Sequence, residues 1–356
     1  MEFTDLSRYF KIENPNILPF SELRKMKPLY FTQELQLIGE KENTEYAKEL
    51  VNARQTIVPI RRIPPTEKYL NRLDFPRRVL LEMTSRCNFE DCRMCPQLWM
   101  KRPRIDMPVE QYKKIIDEID SYGVEALYLY HIGESLTHPN FMEILDYVSQ
   151  KKNLGVIWMS TNGELFNEEK IRHVLKTNVD YINFSAHAVT EETYNTVVPK
   201  GVFKEVQKNL EKYYELKGTE NLPRKPILHC QMIEQETTKH EVDDFLAKHY
   251  KRAEIVSINM LEYVTFKNNK FGMAQRDRKP LTSCTRISRN DCFVFAHGMV
   301  TLCDVAVDEE IPLGNIKEKT LHEIWNSDTR KRFLDLNAQG KMGEIEFCSK
   351  CTDYDI

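Results

Sequence analysis

The stretch LEMTSRCNFEDCRMCPQLWM, residues 81–100, decides how the chain is read. It gathers Cys87, Cys92 and Cys95 into one short loop. The residues leading into it, RVLLEMT at 78–84, form an apolar run that reads as a buried strand. The thiols therefore stand just past the end of a strand, where α/β proteins place their chemistry. Three clustered thiolates can hold a metal, but the set is one ligand short. A structural zinc site takes four closed ligands, so a zinc knuckle here needs a fourth from elsewhere, with His131 as the candidate. A cubane iron–sulfur cluster held by three cysteines instead leaves one iron open. Spacing alone leaves both readings standing.

The chain has 356 residues, enough for one large domain and a smaller one. No apolar run is long enough to span a membrane. The first residues, MEFTDLSRYFKIENPN, are acidic and polar, unlike a signal peptide. The net charge of −3, with both signs mixed, gives no nucleic-acid footprint. Nine cysteines without a secretion signal point to a reducing, cytoplasmic setting and to metal binding rather than disulfides.

Residues 1–75 read as an N-terminal extension of undetermined role, with a charged helix over 31–54 and a proline-blocked linker at 60–65. From residue 78 strand and helix alternate. A helix is expected over 108–122, with Pro108 in its first turn, then a strand over 126–132 ending at Gly133-Glu134-Ser135. A helix at 140–150 precedes a strand at 156–160, which ends at Thr161-Asn162-Gly163. A helix capped by Asn167 covers 167–176, and a strand covers 181–185. Two helical pieces broken at Pro199-Lys200-Gly201 fill 191–214. A strand at 226–233, a helix at 240–250 and a strand at 254–261 complete the series. Six strands with helical crossovers force a parallel sheet with helices outside it. The fold class is α/β, a partial (βα)6 TIM-like barrel over residues 76–265.

In such a barrel the strand ends share one rim. The three thiols, Gly133-Glu134, the Thr161-Asn162-Gly163 turn, Ser185 with His187, and the stretch 231–236 all fall there. A Thr-Asn-Gly alone is usually only a turn, since Asn and Gly accept positive φ. The joint arrival of these groups beside three cysteines is what carries the signal.

The set resembles the radical S-adenosylmethionine (radical SAM) superfamily. Its carriers are Cys87, Cys92 and Cys95, Gly133-Glu134 in HIGESLTHPN, the STNG at 160–163, and INFSAHAVTEETY from residue 182. One departure is that four residues separate Cys87 from Cys92, where the family usually has three. The resemblance implies a [4Fe-4S] cluster whose open iron chelates the methionyl end of SAM. It implies reductive cleavage to a 5′-deoxyadenosyl radical that abstracts a substrate hydrogen, with the chemistry belonging to the cofactor. By family position Glu134 would accept from the SAM amino group, and Gly133 would let the backbone approach. Ser160, Asn162 and Ser185 would contact carboxylate or ribose, and Met94 would lie against adenine. Relatives often carry arginine where this chain has Val198, which makes Lys200 the stand-in cation. A low-potential donor such as flavodoxin or ferredoxin would supply the electron.

Residues 266–356 hold a second constellation. Gly298 suits a tight turn between FVF at 293–295 and VTL at 300–302, a hairpin that delivers Cys303. Cys284, Cys303, Cys348 and Cys351 make a four-thiolate set, for which zinc is the ordinary alternative. With LGNIKEKTLHEIWNS, it resembles the superfamily's SPASM auxiliary domains. The chain ends five residues after Cys351, so the shorter twitch type is expected, a small α+β unit with one saturated auxiliary [4Fe-4S] cluster.

Two cysteines remain, Cys230 and Cys292. Buried free cysteines are ordinarily small hydrophobes, but a radical epimerase needs a thiol hydrogen donor. A dehydrogenase needs a base instead, for which His187 is the candidate. The leading reading is a radical SAM oxidoreductase or epimerase acting on a polar small molecule such as an aminocyclitol or sugar. The single-cluster tail resembles that of aminocyclitol dehydrogenases. The second is a maturase of a ribosomal peptide. The third is a non-catalytic iron–sulfur or zinc protein, which would need no SAM pocket.

Overall fold

The computed structural model describes residues 74–219, 226–249, 252–253, 255–260, 282–349 and 351. The expected helix at 31–54, the linker at 60–65 and the boundary near 265 lie outside these residues.

A nine-stranded sheet organises them, in the order β6-β5-β4-β3-β2-β1-β7-β8-β9. Six parallel strands make the barrel: β1 Arg78–Leu81, β2 Ala126–Tyr128, β3 Val156–Thr161, β4 Tyr181–Ser185, β5 Ile227–Glu234 and β6 Ile255–Met260. The sequence expectation for β4 matches residue for residue. Between the strands run α1 Val109–Tyr122, α2 Phe141–Ser149, α3 Glu168–Leu175, α4 Glu191–Val197, α5 Phe203–Thr219 and α6 Val242–His249. In α1, Tyr112, Ile115, Ile116 and Ile119 recur at helical spacing and bury one face against the sheet; Phe141, Ile144, Leu145 and Val148 do the same in α2. Pro108 stands at the N-cap of α1, one position before the expected first turn. Asn167 caps α3 as expected, accepting from the Lys170 N–H at 3.1 Å.

The two faces of the sheet differ. Ile157, Met159, Ile182, Phe184, Leu228 and Met232 join the helices in one continuous core. The inner face, opposite the helices, is aromatic and polar. Trp158 stacks on Tyr181 with centroids 3.6 Å apart. The Tyr181 hydroxyl meets His229 Nδ1 at 2.6 Å, and His229 Nε2 meets Ser257 Oγ at 2.5 Å. Leu80, Phe293 and Phe295 cluster there with Tyr128, Tyr130 and Met299.

The C-terminal region contributes α7 Thr285–Ser288, β7 Asp291–Val294, β8 Met299–Thr301, β9 Pro312–Asn315, α8 Leu321–Trp325, α9 Asp328–Ala338 and α10 Glu346–Ser349. The expected hairpin exists as antiparallel β7–β8, but β7 also pairs parallel with β1, Val79 opposite Cys292. The hairpin thus extends the barrel sheet. After residue 320 the helical stretch is broken into α8 and α9, because Ser327 caps a new start through the Arg330 N–H. Among the described residues no helix is long and apolar enough to cross a membrane.

Candidate cluster and cofactor site

The cysteine loop is closed at its base by Thr84 and Ser85. Thr84 Oγ1 donates to Asp106 Oδ1 at 2.6 Å, while Ser85 Oγ donates to Pro103 O and accepts from the Ile105 N–H at 2.8 Å. Gln97 Nε2 donates back to Ser85 O at 2.9 Å. Within the loop, Cys87 Sγ accepts from the Phe89 N–H at 3.3 Å and Cys95 Sγ from the Gln97 N–H at 3.5 Å. The longer spacer is anchored on both sides. Phe89 is buried edge-on to Tyr194, and Asn88 Oδ1 accepts from Asn162 Nδ2 at 2.8 Å.

Burial pushes the Cys87 thiol up to about 12 and Cys95 up to about 11. Cys92 is also raised, first by burial and then by its neighbours Cys95 and Cys87. To act as thiolates, three half-buried thiols this costly to ionise would need a positive centre among them, and an iron core would supply one. His131 is committed elsewhere: Nε2 lies 2.8 Å from Asp304 O, and Nδ1 faces Glu82 and Arg102 at 3.5 Å. It is not free to complete a zinc knuckle. Among the described residues no three Cys, His, Asp or Glu side chains close around a single ion. A cubane suits such a set better, since each thiolate sits on a different iron.

The barrel rim brings the neighbouring candidates together. A Cβ on Gly133 would run into the Thr84 carbonyl oxygen and lie 2.6 Å from Arg86 O. The room left by its missing side chain is filled by the base of the cysteine loop. Glu134 is buried, with Oε1 accepting from the Leu136 N–H at 3.1 Å and Oε2 from the Asn162 N–H at 2.6 Å. Burial raises its carboxyl to about 7 despite these donors. Asn162 Nδ2 also reaches Cys87 Sγ at 3.8 Å. Gly163 takes φ +84° where a side chain would strike the Phe184 ring, so this turn requires glycine. Asn183 pairs in register with Ser160 and donates to its Oγ at 3.2 Å. Ser185 pairs with Gln231 on the same inner face.

Other candidates fall differently. Met94 is buried in the main core. Lys200 is exposed; its N–H donates to Asp91 Oδ1 at 3.3 Å and its ammonium pairs with Glu90 at 3.7 Å. His187 has positive φ, 57°, because the N–H groups of Ala186 and His187 both turn onto Gln231 O. Its ring is buried, its Nδ1 has no hydrogen-bond partner among the described residues, and burial holds its ionisation down at about 4. Cys230 and Cys292 are not brought to the rim face. Cys230 pairs in register with Phe184 and points among α5 and α6, while Cys292 lies on the helix side near Arg330 and Glu118.

The second thiol set converges. Cys303 feels Cys284 and Cys351, and Cys348 feels Cys351 and Cys284; burial raises Cys348 to about 12 and drives Cys303 higher still. Asn337, on α9, clamps the backbone of Cys284 from both sides, accepting its N–H at 2.6 Å and donating to its carbonyl at 3.0 Å. Nothing in the spacing of the cysteines marks Asn337; only the fold reveals it. Arg286 pairs with Asp304 beside Cys303. Four neighbouring thiols, Cys303 buried and Cys284, Cys348 and Cys351 half-buried, with an adjacent guanidinium, fit a saturated, anionic cluster.

Residues 81–222 match the radical SAM superfamily, and residues 284–352 match the SPASM iron–sulfur cluster-binding domain. The chain is 34% identical over 145 residues to the tungsten-containing aldehyde ferredoxin oxidoreductase cofactor-modifying protein of Pyrococcus furiosus, a match covering 40% of each chain. It is 32% identical over 127 residues to the subtilosin biosynthesis protein AlbA of Bacillus subtilis, covering 33% of this chain and 27% of AlbA. It thus spans less than half the length of these curated relatives. The fold also matches the crystal structure of BtrN in complex with AdoMet and 2-DOIA, with TM-score 0.53 and 16% identity, covering 79% of this chain and 96% of that one. By these two matches, this chain belongs to the radical SAM superfamily and carries a C-terminal SPASM-type iron–sulfur domain.

Proposed function

We propose that the protein is a radical SAM dehydrogenase that oxidises a hydroxyl-bearing carbon of a polar small molecule, such as an aminocyclitol or sugar. A cluster and SAM at the first thiol set would supply the hydrogen-atom-abstracting radical chemistry, and a cluster at the second would supply an electron acceptor. Cys87, Cys92 and Cys95 would hold the first cluster, and Cys284, Cys303, Cys348 and Cys351 the second. Glu134 would take the SAM amino group on its remaining lone pairs. Ser160, Asn162 and Ser185 would take the carboxylate or ribose, Met94 would back the adenine, and Lys200 would approach the carboxylate from the rim. His187 would accept the proton. The carbon loses a hydrogen atom, the hydroxyl loses a proton and one further electron leaves, so a carbonyl results. Burial keeps the imidazole unprotonated at physiological pH, so that its lone pair is open to a proton, though as a weak base. A flavodoxin or ferredoxin would deliver the initiating electron.

One observation carries dehydrogenation over epimerisation. Both spare thiols face the helix layer, while His187, whose Nδ1 has no hydrogen-bond partner among the described residues, stands at the rim. An epimerase needs a thiol hydrogen donor on the substrate side.

A second reading, a peptide maturase, is favoured by the similarity to AlbA, described as a bacteriocin biosynthesis protein. One experiment separates them. Anaerobically reconstituted protein is incubated in deuterated water with dithionite, SAM and a panel of aminocyclitols, amino sugars and candidate peptides. A ketone product formed with one equivalent of 5′-deoxyadenosine supports dehydrogenation. Solvent deuterium at a retained tetrahedral carbon means epimerisation. Turnover of peptides alone means a maturase.

A further inference from the structure

The inner end of β1 carries a charge that the cofactor chemistry does not use. Glu82 follows Leu81 directly and is wholly buried. Arg102 grips it with both arms of its guanidinium, Nη1 at 2.6 Å and Nη2 at 2.7 Å. Two backbone donors also reach Glu82: the Ala296 N–H at 2.9 Å and the Ile132 N–H at 3.3 Å. The carboxyl is held well below its ordinary range by Arg102, against the cost of burial. Arg102 Nε donates to Val307 O at 2.7 Å, and the guanidinium lies over the Phe295 ring at 4.4 Å.

The partners come from three places. Arg102 lies seven residues after Cys95, in the tail of the first cysteine loop. Ile132 and His131 lie at the β2 rim. Ala296, Asp304, Val307 and Asp308 flank Cys303. The N–H groups of Lys101 and Arg102 both donate to Asp308 Oδ1, at 2.7 and 3.1 Å. His131 completes the joint. Its Nε2 donates to Asp304 O, so Nδ1 is the acceptor and suits Arg102 Nη2 rather than the carboxylate. Burial keeps this ring neutral, which agrees with that tautomer. Asp304 in turn pairs through its side chain with Arg286 beside Cys303.

A buried ion pair adds little net stability over well-packed apolar side chains, because desolvation offsets the attraction. Its strength is geometric: a bidentate fork fixes two segments in one mutual orientation. We infer that the Glu82–Arg102 pair, with His131, is a positioning device that sets the second cluster site relative to the first. It locks the loop carrying Cys303 onto the tail of the loop carrying Cys95. The inference rests on reading both thiol sets as cluster sites.

The test uses full-length protein with both clusters reconstituted. Wild type is compared with the neutral pair Glu82→Gln/Arg102→Met, with Arg102→Lys, and with the milder His131→Gln. Lys101→Ala, at an exposed neighbour, serves as control. Iron content is measured first, then the magnetic interaction between the two reduced clusters by relaxation-based electron paramagnetic resonance. The expected result is unchanged iron with a broadened or weakened cluster–cluster interaction in the first three variants, and a wild-type spectrum in Lys101→Ala. If the neutral pair fails to fold, Arg102→Lys and His131→Gln carry the same readout. A wild-type interaction in every variant that retains full iron overturns the inference. Wild-type protein that binds only one cluster would sink the two-cluster reading instead, a distinguishable failure.

Discussion

The Tyr214 hydroxyl lies 3.4 Å from the Cys230 sulfur and 3.1 Å from His249 Nδ1. This seats Cys230 among α5 and α6, on the side of the sheet away from Ser160 and Ser185. Cys230→Ala is expected to cost about 1 kcal/mol of stability while leaving product identity and isotope content unchanged. Cys292→Ala should behave alike. Product mass spectrometry after turnover in deuterated water, beside a thermal melt, checks both. Loss of solvent-derived deuterium in either variant would restore a thiol donor and with it an epimerase.

Gly133 is where the β2 rim crosses the base of the cysteine loop. Gly133→Ala forces a methyl group into the Thr84 carbonyl. The loop must shift, and the first cluster should be lost while the second remains. Iron per reconstituted chain is expected to fall from about eight towards about four, the content of one cubane. Asn337→Ala releases the Cys284 backbone and should remove the other half. Spectroscopy with added SAM tells the halves apart, since on the proposed assignment only the first cluster should respond to SAM.

Glu134 carries a carboxyl raised to about 7 by burial. Below that pH the folded, ligand-free protein holds it protonated; above it the carboxylate is ionised. An ammonium partner favours the ionised form, so SAM binding should weaken as pH falls from 8 to 6. The expected drop is about tenfold, one pH unit below the titration. Glu134→Gln should bind SAM weakly and with a flat pH profile over this range. Calorimetric titration at several pH values measures both.

His187 ionises only near about 4. Because the shift is downward, the basic form persists from about pH 5 upward, and the oxidation should show no acid limb assignable to His187 in that range. His187→Gln should slow product formation about a hundredfold, the ordinary worth of a positioned base. Cleavage of SAM to 5′-deoxyadenosine should continue, uncoupled from product. Equal loss of both would assign His187 to SAM binding or to folding.

Much of the barrel was legible because period-two and period-3.6 patterns are local. β4, with Tyr181, Asn183 and Ser185 on one face, needs no distant information to be a strand. Cys87, Cys92 and Cys95 are legible because their spacing lies within one loop. What stays hidden is the identity of neighbours. The apolar run at 293–295 signals a strand but not that it pairs with β1. Glu82 is visible as a charge inside a run that otherwise reads as buried, yet nothing local points to Arg102 twenty residues on. Ser327 before Asp328 is a helix-start signal that the longer helical pattern around it obscured.

The parallel pairing of β7 with β1 has a consequence for how the molecule is made. The first barrel strand leaves the ribosome more than two hundred residues before the strand that seals its outer edge. Through most of synthesis that edge shows unpaired amides and carbonyls, an open template for a neighbouring chain. Cutting the gene between the two halves would leave this edge bare for good, so the C-terminal part is no detachable accessory. Production of the N-terminal half alone should yield aggregate, and co-expression of the two halves should restore soluble protein.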